Sequence, residues 1–409
     1  MNLKNKICAL VLVMSAFHVN AIEVSPEIYQ SYQRIQNAIG NSPERAIPEV
    51  IQFYKYAQNQ SDTVKLLAGN LYLDNCMRLK DYPCALQRIQ EIIQLELTTE
   101  QVLNFNLLGA QLSYQQSKYP LTSQFLRNWL PAAKAQLKTL MQEQSEKVSS
   151  IQTQLANNYI FSAHAYLQQE KTKLAIRDVL DAMNIEQRGE NDYRLLLSLY
   201  EKSEQKDKAR ALLITMTKLF PANGNYWERL GYNYLENQQA KEALKVLGAA
   251  YHAEILPDRS WILLAQLYMN QSAPHKAIPI LERGLKEQKI SDHKALYKLL
   301  TNANLLGRDH IAALKTFSEM EKHQPLTTAQ MIQKAQIAFR LGKWRPARHV
   351  LTTLVDDTPD NAQWRFMLAI SLYELGNYQE SIKQLRLIKA PEYGVIVQQW
   401  LKQIDYLAS

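Results

Sequence analysis

An all-α solenoid of stacked antiparallel helix pairs is what this sequence predicts, on three observations. Tyr166, Tyr200, Tyr234 and Tyr268 recur at one constant interval. An alanine follows each of them by nine residues: Ala175, Ala209, Ala243 and Ala277. Between these marks, apolar residues recur at the i, i+3, i+4, i+7 spacing of one helix face. A fixed period of about 34 residues marks a unit that cannot bury its own apolar face and stacks on its neighbours instead.

Residues 1–21 read as a secretory signal peptide, cleaved after Ala21. Lys4 and Lys6 supply the positive start, Ile7 to Phe17 an apolar run, and Val19-Asn20-Ala21 a small-residue cleavage site. The run is too short to cross a bilayer comfortably, and no later stretch approaches spanning length. An uncleaved N-terminal anchor is the alternative. Cys8 has no lipoprotein-type context.

Residues 22–130 are expected to be helical but off the repeat frame. Ser25-Pro26 and Ser42-Pro43 have the form of helix starts, a serine cap followed by proline at the first helical position. Two cysteines remain after the leader, Cys76 and Cys84. An even count in an exported chain favours a disulfide. The bridge would staple a helix from Leu66 to about Met77 onto a second from about Pro83, contributing about 2–3 kcal/mol for so short a loop. Two free buried thiols are the alternative. A zinc site is unfavoured, because no other His or Cys lies near. Phe105, Leu108, Gly109, Leu112, Leu121 and Phe125 make one degenerate unit. Residues 131–155, rich in polar side chains, are expected to form an extra helix or a hinge.

Seven units are expected over residues 156–390. The best copy is Trp227, Leu230, Gly231, Tyr234, Ala243, Leu247 and Ala250, with Gly231 placed against Ala243 where the two helices approach. After the fourth unit the frame slips by two residues and resumes. Gly307, Gly342 and Gly376 fall between first and second helices, where the chain needs a glycine. Pro274 and Pro346 fall early in second helices. Pro279 falls inside one and is expected to kink it. Residues 391–409 read as a capping helix, with Ile396, Trp400 and Ile404 on one face.

Composition narrows the function. The formal net charge is +8. Removing the leader leaves 45 basic against 39 acidic residues, or +6. The charges are interspersed, with no basic run of the kind that grips nucleic acid. No nucleophile elbow, zinc-protease helix, phosphate loop or dinucleotide fingerprint is present. His164, His252, His275, His293, His310, His323 and His349 are scattered, none three or four residues from another. The chain therefore reads as a non-enzyme with no cofactor and no metal.

The pattern Trp-x2-Leu-Gly-x2-Tyr followed by Ala resembles the tetratricopeptide repeat. That resemblance implies a right-handed solenoid whose first helices line a concave face. Arg194, Glu228, Tyr232, Gln266, Lys298, Asn302, Gln336 and Arg340 are the positions it would turn toward a partner. Lys298 and Asn302 also match the opening pair of a subtype that clamps a terminal carboxylate. The later positions hold Gln333, Gln363 and Met367, so the clamp lacks its later cations and carboxylate capture is rejected.

A narrower resemblance covers Tyr226 to Trp400. It is carried by Tyr226-Trp227, Leu235-Glu236-Asn237, Leu264-Ala265-Gln266-Leu267-Tyr268 and Ala273-Pro274-His275-Lys276-Ala277. It continues through Leu281-Glu282-Arg283-Gly284-Leu285 and Gln399-Trp400-Leu401. These are similar to exported tetratricopeptide proteins described as components of a TonB energy-transduction system. The resemblance implies a periplasmic scaffold beside TonB, ExbB and ExbD in the uptake of iron chelates. The alternative is a solenoid that binds a polysaccharide glycan or envelope-assembly proteins during export.

Overall fold

The structure, a computed structural model, describes residues 24–408, with backbone alone for 405–408. The expected signal peptide, residues 1–21, lies outside the described residues. Every regular element among the described residues is helical. The chain divides into two compact units, residues up to Leu212 and residues from Leu213.

The first unit holds the pairs α1 (Pro26–Asn41) with α2 (Pro43–Ala57), and α3 (Asp62–Arg78) with α4 (Tyr82–Ile92). It continues with α5 (Thr99–Gln115) and α6 (Tyr119–Gln142), α7 (Val148–Gln168) and α8 (Thr172–Ile185), then α9 (Glu190–Lys202). The division falls within α10 (Lys206–Leu219). The second unit pairs α11 (Gly224–Glu236) with α12 (Ala240–His252), and α13 (Trp261–Asn270) with α14 (Pro274–Lys286). After these come α15 (His293–Leu306) and α16 (His310–His323), then α17 (Thr328–Arg340) and α18 (Trp344–Asp357). The unit ends with α19 (Ala362–Glu374), α20 (Tyr378–Arg386) and the final helix α21 (Gly394–Ala408).

One turn recurs between the helices of a pair. A residue in the left-handed region closes the first helix at Lys80, Ser117, Glu170 and Glu204, then at Gln238, Ser272, Arg308, Gly342 and Gly376. The next amide then donates back to a carbonyl five residues earlier. Lys171 bonds Tyr166, Gln205 bonds Tyr200, Gln239 bonds Tyr234 and Ala273 bonds Tyr268, at 2.8–3.0 Å. This is the 6→1 bond of a Schellman cap, which satisfies a helix-end carbonyl. The tyrosines of the lattice thus sit where their backbone oxygens close the turn.

The left-handed residue is glycine in two of these turns, Gly342 (φ 64°) and Gly376 (φ 75°). Gly307 does not fill the position expected of it. Its φ is −73°, and Arg308 beside it takes φ 61°. The step from Ser272 to Arg308 is two residues longer than the steps from Glu170 to Glu204, Gln238 and Ser272, which is the slip in the sequence frame.

The same turn also closes pairs upstream of 156, but off the frame, since the steps from Lys80 to Ser117 and from Ser117 to Glu170 are both longer than the step from Glu170 to Glu204. Asp81 bonds Cys76 at 2.9 Å and Lys118 bonds Ser113 at 2.8 Å. Cys76 and Ser113 stand where the tyrosines stand later, with Ala85 and Thr122 nine residues on. The Ser113 and Thr122 hydroxyls hydrogen-bond at 2.9 Å. Cys76 on α3 and Cys84 on α4 lie at disulfide distance, their Cα atoms 5.8 Å apart. Asp81 caps α4 by accepting from the Cys84 amide at 3.0 Å.

Residues 131–155 are neither an extra helix nor an open hinge. They extend α6 and α7 and meet at a turn with Gln144 at φ 52°. Trp129, Ala133, Leu155 and Tyr159 bury the joint.

Close approach explains particular glycines. A Cβ on Gly231 would sit 2.6 Å from the Leu247 side chain, so Gly231 faces Leu247 rather than Ala243. A Cβ on Gly224 would lie 1.7 Å from the Ile255 carbonyl oxygen. α14 runs on through Pro279, where the missing amide removes one bond to the first turn. In α21, Val397 and Ile404 are buried with Trp400 against them, while Ile396 is 39% exposed and off the expected face.

Candidate functional site

The first helices of the second unit carry the sequence-predicted surface. Their apolar stripes are spent on the core: Leu230, Leu264, Leu300 and Ala335 are buried. On the other face Tyr232 on α11, Gln266 on α13, and Lys298 and Asn302 on α15 are exposed, with Arg340 at the end of α17. Gln336 on α17 is half-buried. Tyr232, Gln266, Asn302 and Gln336 share one repeat position, the two-residue slip falling between Gln266 and Asn302. Successive pairs therefore offer one amide or phenol each, beside the cations Lys298 and Arg340. Amides donate and accept, so the row suits an extended backbone. Arg194 is exposed on α9 of the first unit.

Glu228 departs from the expectation. It is 3% exposed, and its carboxylate is already taken. Arg259 donates from Nε at 2.8 Å and again from Nη2, and Ser260 donates its hydroxyl at 2.5 Å. Arg259 also donates to Asn225 at 3.0 Å. The hydrogen bond and charge of Glu228 hold the guanidinium pKa above its usual value, with a smaller contribution from Tyr232. Glu228 is a joint between α11 and the entry to α13, and Arg259 presents a cation in its place. Arg259 lies one full repeat after Asn225, so the repeat frame carried the signal for it.

Two further arrangements escaped the sequence. In the first unit, Arg88 lies between the rings of Tyr54 and Tyr72, 4.7 Å from each centre, and pairs with Glu91 at 2.9 Å. Tyr54 donates its hydroxyl to Glu91. Burial first, then the Glu91 bond, pushes the Tyr54 phenol up to about 12. In the second unit, Lys334 is 2% exposed and pairs with Glu321 at 2.5 Å, tying α17 to α16. Both sites consume their charges internally, as buried ions require.

His293 and His323 come together although almost a whole repeat separates them in the chain, their ring centres 5.2 Å apart. No group of three or more His, Cys, Asp or Glu side chains among the described residues is arranged to hold a metal ion. No helix among them is long and apolar enough to cross a membrane.

No curated protein matches the chain. A tetratricopeptide repeat protein from Parabacteroides merdae is 12% identical over 61% of this chain and 98% of its own, at a TM-score of 0.33. PilF from Pseudomonas aeruginosa is 14% identical over 52% of this chain and 96% of its own, at 0.30. The TPR2AB domain of yeast Sti1, solved with an Hsp90 partner, is 14% identical over 62% of this chain and 97% of its own, at 0.32. The tetratricopeptide repeat family model matches residues 332–393, the stretch that holds most of α17, all of α18 to α20 and the approach to α21. Over residues 332–393, then, the chain matches the tetratricopeptide repeat.

Proposed function

We propose that this chain is a non-catalytic scaffold for protein partners, acting in the periplasm as an accessory component of a TonB/ExbB/ExbD system for uptake of iron chelates. The observation that carries the binding reading is the row Tyr232, Gln266 and Asn302, one exposed polar side chain per repeat at a fixed position. A folded array that repeats one polar group at the same position of successive units lowers the ordering cost of gripping an extended segment. The leader-like residues 1–21 support export. The likeness of Tyr226–Trp400 to the TonB-associated repeat proteins supports the choice of partner.

Affinity capture of the mature chain from periplasmic membranes is expected to retain TonB, ExbB or ExbD. The joint substitution Tyr232→Ala, Lys298→Ala, Asn302→Ala is expected to release them. A strain lacking the gene is expected to grow poorly on chelated iron. Normal growth on chelated iron together with no captured TonB component sinks the TonB reading. Retention on a glycan column, abolished by the same substitutions, would instead support the polysaccharide alternative.

A further inference from the structure

We propose that His293 and His323 form a two-histidine site for a divalent transition-metal ion, zinc being the reference case. His293 is the first residue of α15 and His323 the last of α16, so the antiparallel pair brings them to the same end. Both side chains are exposed. Their ring centres are 5.2 Å apart with planes inclined at 62°.

That separation fits shared coordination. A zinc–nitrogen bond of about 2.0–2.1 Å places each imidazole centre about 3.2 Å from the metal, and tetrahedral disposition then places two centres about 5.2 Å apart. Torsion about the ring bond of histidine is broad, so aiming one nitrogen of each exposed ring at a common point costs little.

The rings are also supported. His323 stacks on Tyr297, 5.3 Å between centres and 21° between planes, and Tyr297 is buried in the helix-pair core. His293 packs against the same phenol ring at 6.4 Å. The Asp292 carboxylate accepts from the Ala295 amide at 2.9 Å and caps α15, which fixes the turn that carries His293. Imidazole nitrogen suits zinc, copper and nickel over magnesium or calcium. Solvent completes the coordination sphere, since two side chains supply half a tetrahedron.

The ion would join the first turn of α15 to the last turn of α16, so binding stabilises that pair by mass action. Titration of the full mature chain with zinc chloride, followed by calorimetry and by thermal unfolding, tests this. The wild type is expected to bind one zinc and to unfold at higher temperature with it. His293→Ala and His323→Ala are each expected to weaken binding by about 10–100-fold, at least the cost of losing a group that merely supports a ligand. The double variant is expected to show no zinc-dependent thermal shift. His252→Ala, at a histidine away from the pair, is expected to change nothing. Absence of zinc binding by a folded wild type overturns the proposal, as does equal binding by the double variant or an equal loss in His252→Ala.

Discussion

The carboxylate of Glu228, 3% exposed on α11, is held by the guanidinium of Arg259 from the next repeat, with Nε at 2.8 Å. The two differ sharply in exposure, since the Arg259 side chain is 66% exposed. The cation is therefore the replaceable member and the anion the vulnerable one. Removing the cation leaves a carboxylate in the interior with Ser260 alone beside it. Arg259→Ala is expected to lower the melting temperature. Glu228→Gln added to it is expected to recover part of that loss, because a neutral amide needs no counter-charge. A thermal-shift cycle over the four variants checks this. Additive effects, with no recovery in the double variant, refute the joint.

Gly224 tests a closer contact. Its missing side chain lets α11 start directly over the Ile255 carbonyl, where a Cβ would lie 1.7 Å from oxygen. The obstacle is backbone, so no side chain can rotate away. Gly224→Ala is expected to destabilise the second unit by about 3 kcal/mol or more, at or beyond the upper end for overpacking. Gly40, inside α1 with nothing within 4 Å of its Cβ position, is the control. Gly40→Ala is expected to stabilise by up to about 1 kcal/mol through helix propensity. Urea midpoints of the two variants should move in opposite directions.

Much of the fold was legible because the Tyr–Ala lattice records helix-pair geometry. Where it faded, the reason is physical. The turn needs a carbonyl from residue 76 or 113, and any residue supplies one, so Cys76 and Ser113 serve as well as Tyr166. Their replacement erased the side-chain signal and left the backbone bond. The exposure of the candidate positions was legible as far as helix periodicity reaches: Tyr232, Gln266 and Asn302 are exposed as their phase requires. Glu228 has the right phase but is covered by Arg259 from the following repeat. His293 and His323 meet across a whole helix pair. Neither pairing has a spacing within one helix to read, and only the place of Arg259 one repeat after Asn225 marks the first.

The left-handed turn residues offer a stability test spread along the chain. Glu204 has φ 56° and Gln238 φ 60°, a region that costs a side-chain-bearing residue about 1–2 kcal/mol. Glycine removes that cost but adds freedom to the unfolded chain, worth about 0.4–1 kcal/mol. Glu204→Gly and Gln238→Gly are each expected to stabilise by a net of about 0.5 kcal/mol. The reverse change, Gly376→Ala at φ 75°, is expected to destabilise by about 1 kcal/mol. Opposite shifts in denaturation midpoint check the assignment. A loss of stability in both glycine variants would show that the native side chains contribute more than the strain.

Acid sensitivity should trace in part to His164 on α7. Burial pushes its imidazole pKa below the ordinary value, and the charge of Asp192 only partly opposes this. The unfolded chain titrates near the ordinary histidine value and so takes up a proton first as pH falls. In that window the unfolded state binds more protons than the native state, and stability falls with pH. The loss begins as pH drops through the unfolded histidine range and stops growing once the native imidazole protonates too. Above that range His164 is neutral in both states and contributes no pH dependence. His164→Gln removes the titration while keeping a polar side chain. The difference in melting temperature between pH 7.5 and pH 5.5 is expected to be smaller in His164→Gln than in the wild type. An unchanged difference would mean that the acid response belongs to other groups.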